Sequence, residues 1–139
     1  MKAVIDTVVF VRAAINPDSP WARVLSESGR LYRICASPAI IREILEVLTR
    51  SKLRERFPQI DAALITIVLP IVLSAEIVEP TESIAVCRDP KDDKFLECAV
   101  AAAADYIVSE DRDVLDIGEF RGIKTVTADR FLAILDQIA

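Results

Sequence analysis

Apolar and polar positions along the chain fall into blocks that predict strands and helices in alternation. Short β-branched runs predict strands at "KAVID", "LYRICAS", "DYIVS" and "KTVT", and "AEIVEP" is a further strand candidate. Between them, apolar residues recur at helical spacing in "VVFVRAAI", "SPWARVLSESG", "SPAIIREILEVLTR", "KLRERF" at 52–57, "QIDAALITIVLPIVL", 93–104 and "ADRFLAILDQI". This alternation predicts an α/β fold with a mostly parallel sheet between helices.

Capping residues mark where several of these helices begin. Ser19, Ser37 and Thr127 each precede a helical run, and proline follows both serines at the first turn. Gly29 is the expected stop of the second helix.

The run 62–75 carries no charge and contains Pro70. It is too short to span a bilayer and predicts a buried helix that Pro70 bends or ends. Its remaining apolar surface belongs either to the core or to an interface. The opening "MKAVIDTVVFVRAAI" is interrupted by Asp6 and Arg12, so we expect neither a signal peptide nor a membrane segment.

Composition predicts a single folded domain over residues 1–139. The chain is 53% hydrophobic and 28% charged, with three Gly and a net charge of −5. Three cysteines fit no zinc or redox spacing, which predicts reduced core thiols in a cytoplasmic protein. The absence of histidine excludes His-based triads and His-ligated zinc. Metal chemistry would therefore use oxygen ligands, which favours Mg²⁺ or Mn²⁺.

Acidic residues stand at the predicted carboxyl ends of strands, where open parallel sheets bind ligands. Asp6 ends the first strand, Asp111 follows the strand 106–109, Asp93 begins a helix, and Glu43 lies at the edge of a buried helix face. We expect these four to converge. Each also has a purely structural alternative: helix caps for the aspartates, a turn for Asp111 and solvent for Glu43.

Basic residues concentrate in one section of this acidic chain, 42–56. Such a section could hold a phosphate backbone, although the negative net charge argues mildly against nucleic acid. A solvated helix face is the alternative for the same residues.

Four segments together resemble the PIN-domain nucleases, and most closely the VapC-like toxin components of prokaryotic toxin–antitoxin systems. They are "VIDTVVFVRAAI", "SPAIIREILEVLTRSKL", "DPKDDKFLECAVAAAADYIVSEDRDVL" and "TADRFLAIL", which cover essentially the whole chain in order. The resemblance implies a three-layer α/β/α sandwich with a mostly parallel sheet of four to five strands. It places the family's acidic quartet, as catalytic residues and metal ligands, on Asp6, Glu43, Asp93 and Asp111.

The same resemblance implies a Mg²⁺- or Mn²⁺-dependent endoribonuclease with an RNA substrate, a cognate antitoxin that blocks the site, and a homodimer. Supporting positions near the ligands are Thr7, Asp92, Ser109 and Asp113, and candidates for RNA contact are Arg12, Arg50, Lys52 and Arg54. One position departs from the family pattern: Val8 stands where the opening motif usually has Asn. We expect this change to weaken hydrogen bonding around the first ligand and to reduce activity without abolishing metal binding.

Two other classes remain open. A phosphoacceptor receiver domain is also α/β and acid-rich, but it requires an acid pair after strand one and a lone Asp after a central strand, which this sequence lacks. A PIN-like module that binds RNA or protein without catalysis is kept open by Val8.

Overall fold

The computed structural model describes all residues, 1–139, and contains a six-stranded sheet flanked by helices. The strand order is β3–β2–β1–β4–β6–β5, and every neighbouring pair is parallel except β5–β6. The strands are β1 (Lys2–Ile5), β2 (Arg33–Ala36), β3 (Glu76–Ile77), β4 (Tyr106–Val108), β5 (Glu119–Phe120) and β6 (Ile123–Val126). The predicted α/β class is confirmed.

Nine α-helices connect the strands. They are α1 (Thr7–Ile15), α2 (Pro20–Ser26), α3 (Pro38–Leu48), α4 (Ser51–Arg56), α5 (Ile60–Ala63), α6 (Leu69–Ser74), α7 (Asp93–Ala102), α8 (Arg112–Leu115) and α9 (Ala128–Ile138). A π-helical turn, Leu64–Val68, joins α5 to α6, and a 3₁₀ turn, Pro90–Asp92, leads into α7.

The centre of the sheet is the β1–β4 pair, in which Ile5 lies opposite Val108. Both strands end in fully buried apolar residues, as expected where helices cover both faces of a parallel sheet. α7 contacts β1, β2 and β4, so its first turn lies close to the carboxyl ends of the two central strands. The residues that follow β1 and β4 are therefore neighbours of the residues that open α7.

The predicted helix starts are confirmed. Ser19, Ser37 and Thr127 each accept a hydrogen bond from the backbone N–H three residues later, at 3.2, 3.4 and 3.2 Å. These bonds satisfy N–H groups that the helix itself leaves unpaired.

The sheet has one strand more than the four to five expected. β5 forms a hairpin with β6, and Arg121 and Gly122 in its two-residue turn have φ of 51° and 84°. Positive φ at both positions matches the tight turn that suits strand twist. The sequence signal for the β5–β6 hairpin was weak because "RG" is less typical of this turn than "NG" or "DG".

The prediction of a buried helix over 62–75 is wrong for one face. Ile60, Ala63 and Val68 are buried, but Ile65, Leu69 and Leu73 are 68%, 40% and 84% exposed. Pro70 does not end the helical path. It lacks an N–H for the ordinary helical bond, and the π-helical turn directly before α6 accommodates it. None of the helices combines the length and apolar character that a membrane span requires.

An aromatic cluster fixes α9 against the sheet. Phe131 is fully buried, and its ring centroid lies 4.9 Å from that of Tyr32 and 5.6 Å from that of Tyr106, both edge-to-face. The Tyr32 hydroxyl donates to the Val24 carbonyl at 2.7 Å, so the cluster also anchors α2.

Replacing Phe131 with Ala should lower the free energy of unfolding by about 3–5 kcal/mol, because the ring leaves a cavity among partners that cannot close. Urea denaturation measures the change. The control is Ile138→Ala in the same helix, where the side chain is 52% exposed and the loss should stay under about 0.5 kcal/mol. Similar losses in both variants would contradict this role of Phe131.

Candidate active site

Asp6 directly follows the central strand β1 and is buried at the start of α1. Its Oδ2 accepts a hydrogen bond from Ser109 Oγ at 2.6 Å, and its Oδ1 accepts one from the Val8 N–H at 3.4 Å. Burial raises the pKa of Asp6, the bonds from Ser109 and Val8 partly oppose that rise, and the charges of Glu43 and Asp111 add to it. Asp6 therefore lies in an environment that disfavours the ionised form of its carboxyl group.

Ser109 ties Asp6 to Asp111 at the carboxyl end of β4. While its hydroxyl donates to Asp6, its oxygen accepts a hydrogen bond from the Asp111 N–H at 3.0 Å. Asp111 then caps α8 through its Oδ1, which accepts from the Asp113 N–H at 2.9 Å. One buried hydroxyl thus sets the relative positions of the acids that follow the two central strands.

Asp92 is the third acid of this group. It is half-buried, and its Oδ2 is enclosed with no hydrogen-bond partner. Burial is the largest cause that raises the pKa of Asp92 to about 7, followed by the charges of Asp111 and Asp6 and by a hydrogen-bonding contact with Asp111 that favours the protonated form. An orphaned carboxylate oxygen facing two other acids is an arrangement that a cation would relieve.

Asp93 does not join this group, although it is adjacent to Asp92 in sequence. Its Oδ1 accepts hydrogen bonds from the Cys87 and Val86 N–H groups at 2.8 and 3.1 Å. Burial raises the pKa of Asp93, but the two N–H bonds outweigh it, so the net pKa lies below the usual value. Asp93 was expected among the ligands and Asp92 beside them; as the side chains lie, the charges of Asp6 and Asp111 act on Asp92, and the choice of metal ligand between the two stays a prediction.

The loop that Asp93 holds brings Cys87 to the margin of the acids. Burial and then the hydrogen bond and charge of Asp93 raise the pKa of the Cys87 thiol to about 12. The thiol therefore stays protonated at neutral pH, and it is a poor ligand for a metal in this state.

Glu43 on α3 is close to Asp6 but has its own partners. Its Oε2 accepts a hydrogen bond from Thr7 Oγ1, and its Oε1 forms an ion pair with Lys94 Nζ at 2.8 Å. None of the ion pairs in the structure involves Asp6, Asp92 or Asp111. Glu43 is thus neutralised by an ammonium group, whereas the other three acids have no positive partner.

Other predicted positions lie around this centre or away from it. Asp113 pairs with Arg88 at 3.3 Å. Val8 supplies its N–H to Asp6, while its half-buried side chain packs against the core.

The basic residues expected to contact RNA differ in their partners. Arg50 and Arg54 pair with Glu46 and Asp61, Lys52 is exposed without an ion pair, and Arg12 lies over the Trp21 ring. Trp21 was not singled out from the sequence, because an isolated tryptophan in an amphipathic helix indicates packing.

The three acids fit a hard divalent cation by their chemistry. All available ligands are oxygens, Asp92 Oδ2 lacks a partner, and the charges of neighbouring carboxylates help to raise the pKa of both Asp6 and Asp92. As placed, however, no three of the Asp, Glu or Cys side chains converge on a single metal position. Binding of a metal would therefore require side-chain rotation within this group.

Comparison with known proteins identifies the family. Residues 2–113 match the PIN domain family, and the chain therefore belongs to it. The chain is 31% identical over 121 residues to the uncharacterized protein MJ1680 of Methanocaldococcus jannaschii, an alignment that covers 84% of this chain and 75% of that protein. PIN domains are generally nucleases, and they typically use divalent metal ions.

Solved structures show the same fold at low sequence identity. VapBC2 from Rickettsia felis, crystallised with a DNA fragment from its promoter, superimposes with a TM-score of 0.59 and 12% identity over 91% of this chain and 98% of that one. PAE2754 from Pyrobaculum aerophilum gives a TM-score of 0.56 and 15% identity over 99% of this chain and 90% of that one. The predicted PIN-like fold, similar to that of a VapC protein, is therefore confirmed.

The raised pKa of Asp92 predicts a pH-dependent stability of the metal-free protein. An acid whose pKa in the folded state exceeds its unfolded value destabilises the fold once it ionises, so the penalty grows as pH rises from about 4 to about 7. Asp92→Asn should remove it. Near pH 8 the variant should unfold at a higher temperature than the wild type, by roughly 4 °C for each ~1 kcal/mol, and near pH 4 the two should agree.

Thermal unfolding in chelator at both pH values measures the difference. Asp129→Asn, at an exposed position in the first turn of α9, is the matched control and should shift neither value appreciably. A constant offset between wild type and Asp92→Asn across the pH range would contradict the assignment of strain to Asp92.

Proposed function

We propose that this protein is a divalent-metal-dependent endoribonuclease in which Asp6, Asp92 and Asp111 hold Mg²⁺ or Mn²⁺. The observation that carries the proposal is the buried, partnerless oxygen of Asp92 beside two acids that follow the central strands. Membership of the PIN domain family supports a nuclease, and RNA as the substrate extends the resemblance to VapC-like toxins.

The protein's residues perform distinct tasks in this proposal. Ser109 orients Asp6 and Asp111, so both acids face the same side of the sheet edge. Asp93 fixes the loop beside the site, because its Oδ1 accepts the Cys87 and Val86 N–H groups. When bound, the cation neutralises charge on the RNA phosphate and lowers the pKa of water, so that no histidine base is needed.

Glu43 acts through Thr7 rather than as a direct ligand. Thr7 begins α1 next to Asp6, and its hydroxyl donates to Glu43, which Lys94 neutralises on its other oxygen. We propose that these contacts among Thr7, Glu43 and Lys94 hold the start of α1 in place. The Val8 side chain cannot hydrogen-bond to these residues, so we expect lower cleavage activity than an Asn at position 8 would give.

Cleavage of a mixed pool of single-stranded RNA in Mg²⁺ or Mn²⁺ tests the function, with chelator as the first control. Asp92→Asn and Asp6→Asn should each reduce cleavage by roughly 100-fold or more, because each removes a ligand charge. Asp93→Asn is the matched control beside Asp92. Its amide oxygen still accepts from Cys87 and Val86, so cleavage should stay within about 10-fold of wild type.

Each alternative result has a definite meaning. If Asp93→Asn loses cleavage activity and Asp92→Asn keeps it, Asp93 and not Asp92 is the metal ligand. Equal, chelator-insensitive cleavage by all proteins would indicate a contaminating nuclease and refute the proposal. No cleavage by wild type, with Mn²⁺ still bound in calorimetry, would favour a non-catalytic RNA- or protein-binding module, and Val8→Asn would then be the first change to test.

We further propose the partners that the VapC-like resemblance implies. They are a cognate antitoxin that blocks the acidic site in the cytoplasm and a second copy of this chain. For the second copy, the exposed face of the helix around Pro70 is the candidate surface, since Ile65, Leu69 and Leu73 recur there at intervals of four residues.

Light scattering tests the dimer. If this face is the interface, Leu73→Glu should convert a dimer to a monomer at micromolar concentration, because it places a charge in the apolar contact. Ile138→Glu, at an exposed apolar position on α9, is the control and should leave the mass unchanged. A monomeric wild type, or a dimer that survives Leu73→Glu, would contradict this interface.

A further inference from the structure

Trp21 is the only tryptophan of the chain, and a hydrogen bond links its ring to Glu110, the residue before Asp111. Its Nε1 donates a hydrogen bond to Glu110 Oε1 at 3.2 Å. The same oxygen accepts from the Ala128 N–H at 2.9 Å, so Glu110 is anchored to the start of α9. The half-buried indole therefore has one edge tied to the segment that carries the site.

Arg12 covers this ring with its guanidinium. The Arg12 Cζ lies 4.9 Å from the ring centroid, and the side chain is exposed. Arg12 takes part in none of the ion pairs, in contrast to the seven arginines that do, which are Arg23, Arg30, Arg33, Arg50, Arg54, Arg88 and Arg121. A flat cation without a carboxylate partner thus lies on an aromatic ring with its donors uncommitted.

Both residues are linked to the proposed ligands by short paths. Glu110 lies between Ser109 and Asp111 in the chain, and Trp21 is bonded to it. Arg12 is on α1, the helix that Asp6 caps, about 9 Å along the axis from that cap at ~1.5 Å per residue. A nucleotide next to one bound at the acids would reach this pair.

We propose that Arg12 and Trp21 form a stacking platform for one unpaired nucleobase of the RNA, next to the phosphate held at the acids. Unpaired bases stack on aromatic rings and on guanidinium planes, and the Arg12 N–H groups remain free to donate to base or phosphate oxygens. The inference rests on the proposed ribonuclease function and specifies its substrate as single-stranded at this nucleotide, because a paired base has no free face.

Fluorescence of Trp21 reports on the platform directly, since no other tryptophan contributes. A short single-stranded oligoribonucleotide is titrated into the protein in Ca²⁺, which neutralises the carboxylates with a loose coordination geometry, and a denaturing gel checks that the RNA stays intact. We expect a saturable change in emission. The same length of double-stranded RNA, or a strand with abasic sites, should give a much smaller change.

Substitutions of Arg12 separate stacking from charge. Arg12→Gln should weaken binding about 5- to 100-fold, the range for loss of one stacked base. Arg12→Lys should be nearly as weak, because it keeps the charge and loses the plane. Arg130→Gln on α9 removes an exposed arginine without an ion pair and should bind as wild type does.

Three results would overturn the platform: an affinity unchanged in Arg12→Gln, full rescue by Arg12→Lys, or equal binding of the abasic strand. The titration is independent of cleavage. Saturable, base-dependent binding without cleavage in Mn²⁺ would refute the ribonuclease and leave the platform standing, whereas cleavage without any Trp21 response would refute the platform alone.

Discussion

Mutual repulsion among carboxylates at the edge of the sheet is the constraint on which this site depends. Asp6 and Asp111 follow adjacent central strands, and Asp92 approaches them from the turn before α7. Burial and like charge raise the pKa of both Asp6 and Asp92, so the metal-free protein holds these acids at a cost in stability.

A small set of uncharged donors keeps the acids in place. Ser109 bridges two of them, and Thr7 connects the start of α1 to Glu43. Hydroxyl groups suit this task because they donate to a carboxylate without cancelling its charge. Lys94 does cancel a charge, but it does so at Glu43 and not at the three acids that have no positive partner. The distribution of partners thus separates an acid that supports the site from acids that are available to a cation.

The surface around the acids determines which nucleic acid could approach an acidic protein. Most arginines are already engaged with carboxylates, and Arg50 and Arg54 in the basic section are among them. Under the proposed function, attraction for phosphate would come from a bound cation and from the basic groups without an ion pair, among which Arg12 lies over the Trp21 ring. The proposed function therefore implies that binding of RNA and binding of a metal would be linked.

Local signals in the sequence determined much of the fold. Alternating periodicities predicted the α/β class, the Ser-Pro pairs located the starts of α2 and α3, and the acids after strands indicated the functional edge. Tertiary structure decided what these signals leave open. Asp92 and Asp93 are adjacent acids in the sequence, and only the path of the 86–87 loop shows that Oδ1 of Asp93 accepts two backbone N–H groups. Likewise, the sequence pattern of an apolar helix is the same whether the helix is covered or exposed, since burial depends on which elements pack against it. The hydrogen bond from Trp21 to Glu110 joins segments that are 89 residues apart, so no local pattern could contain it.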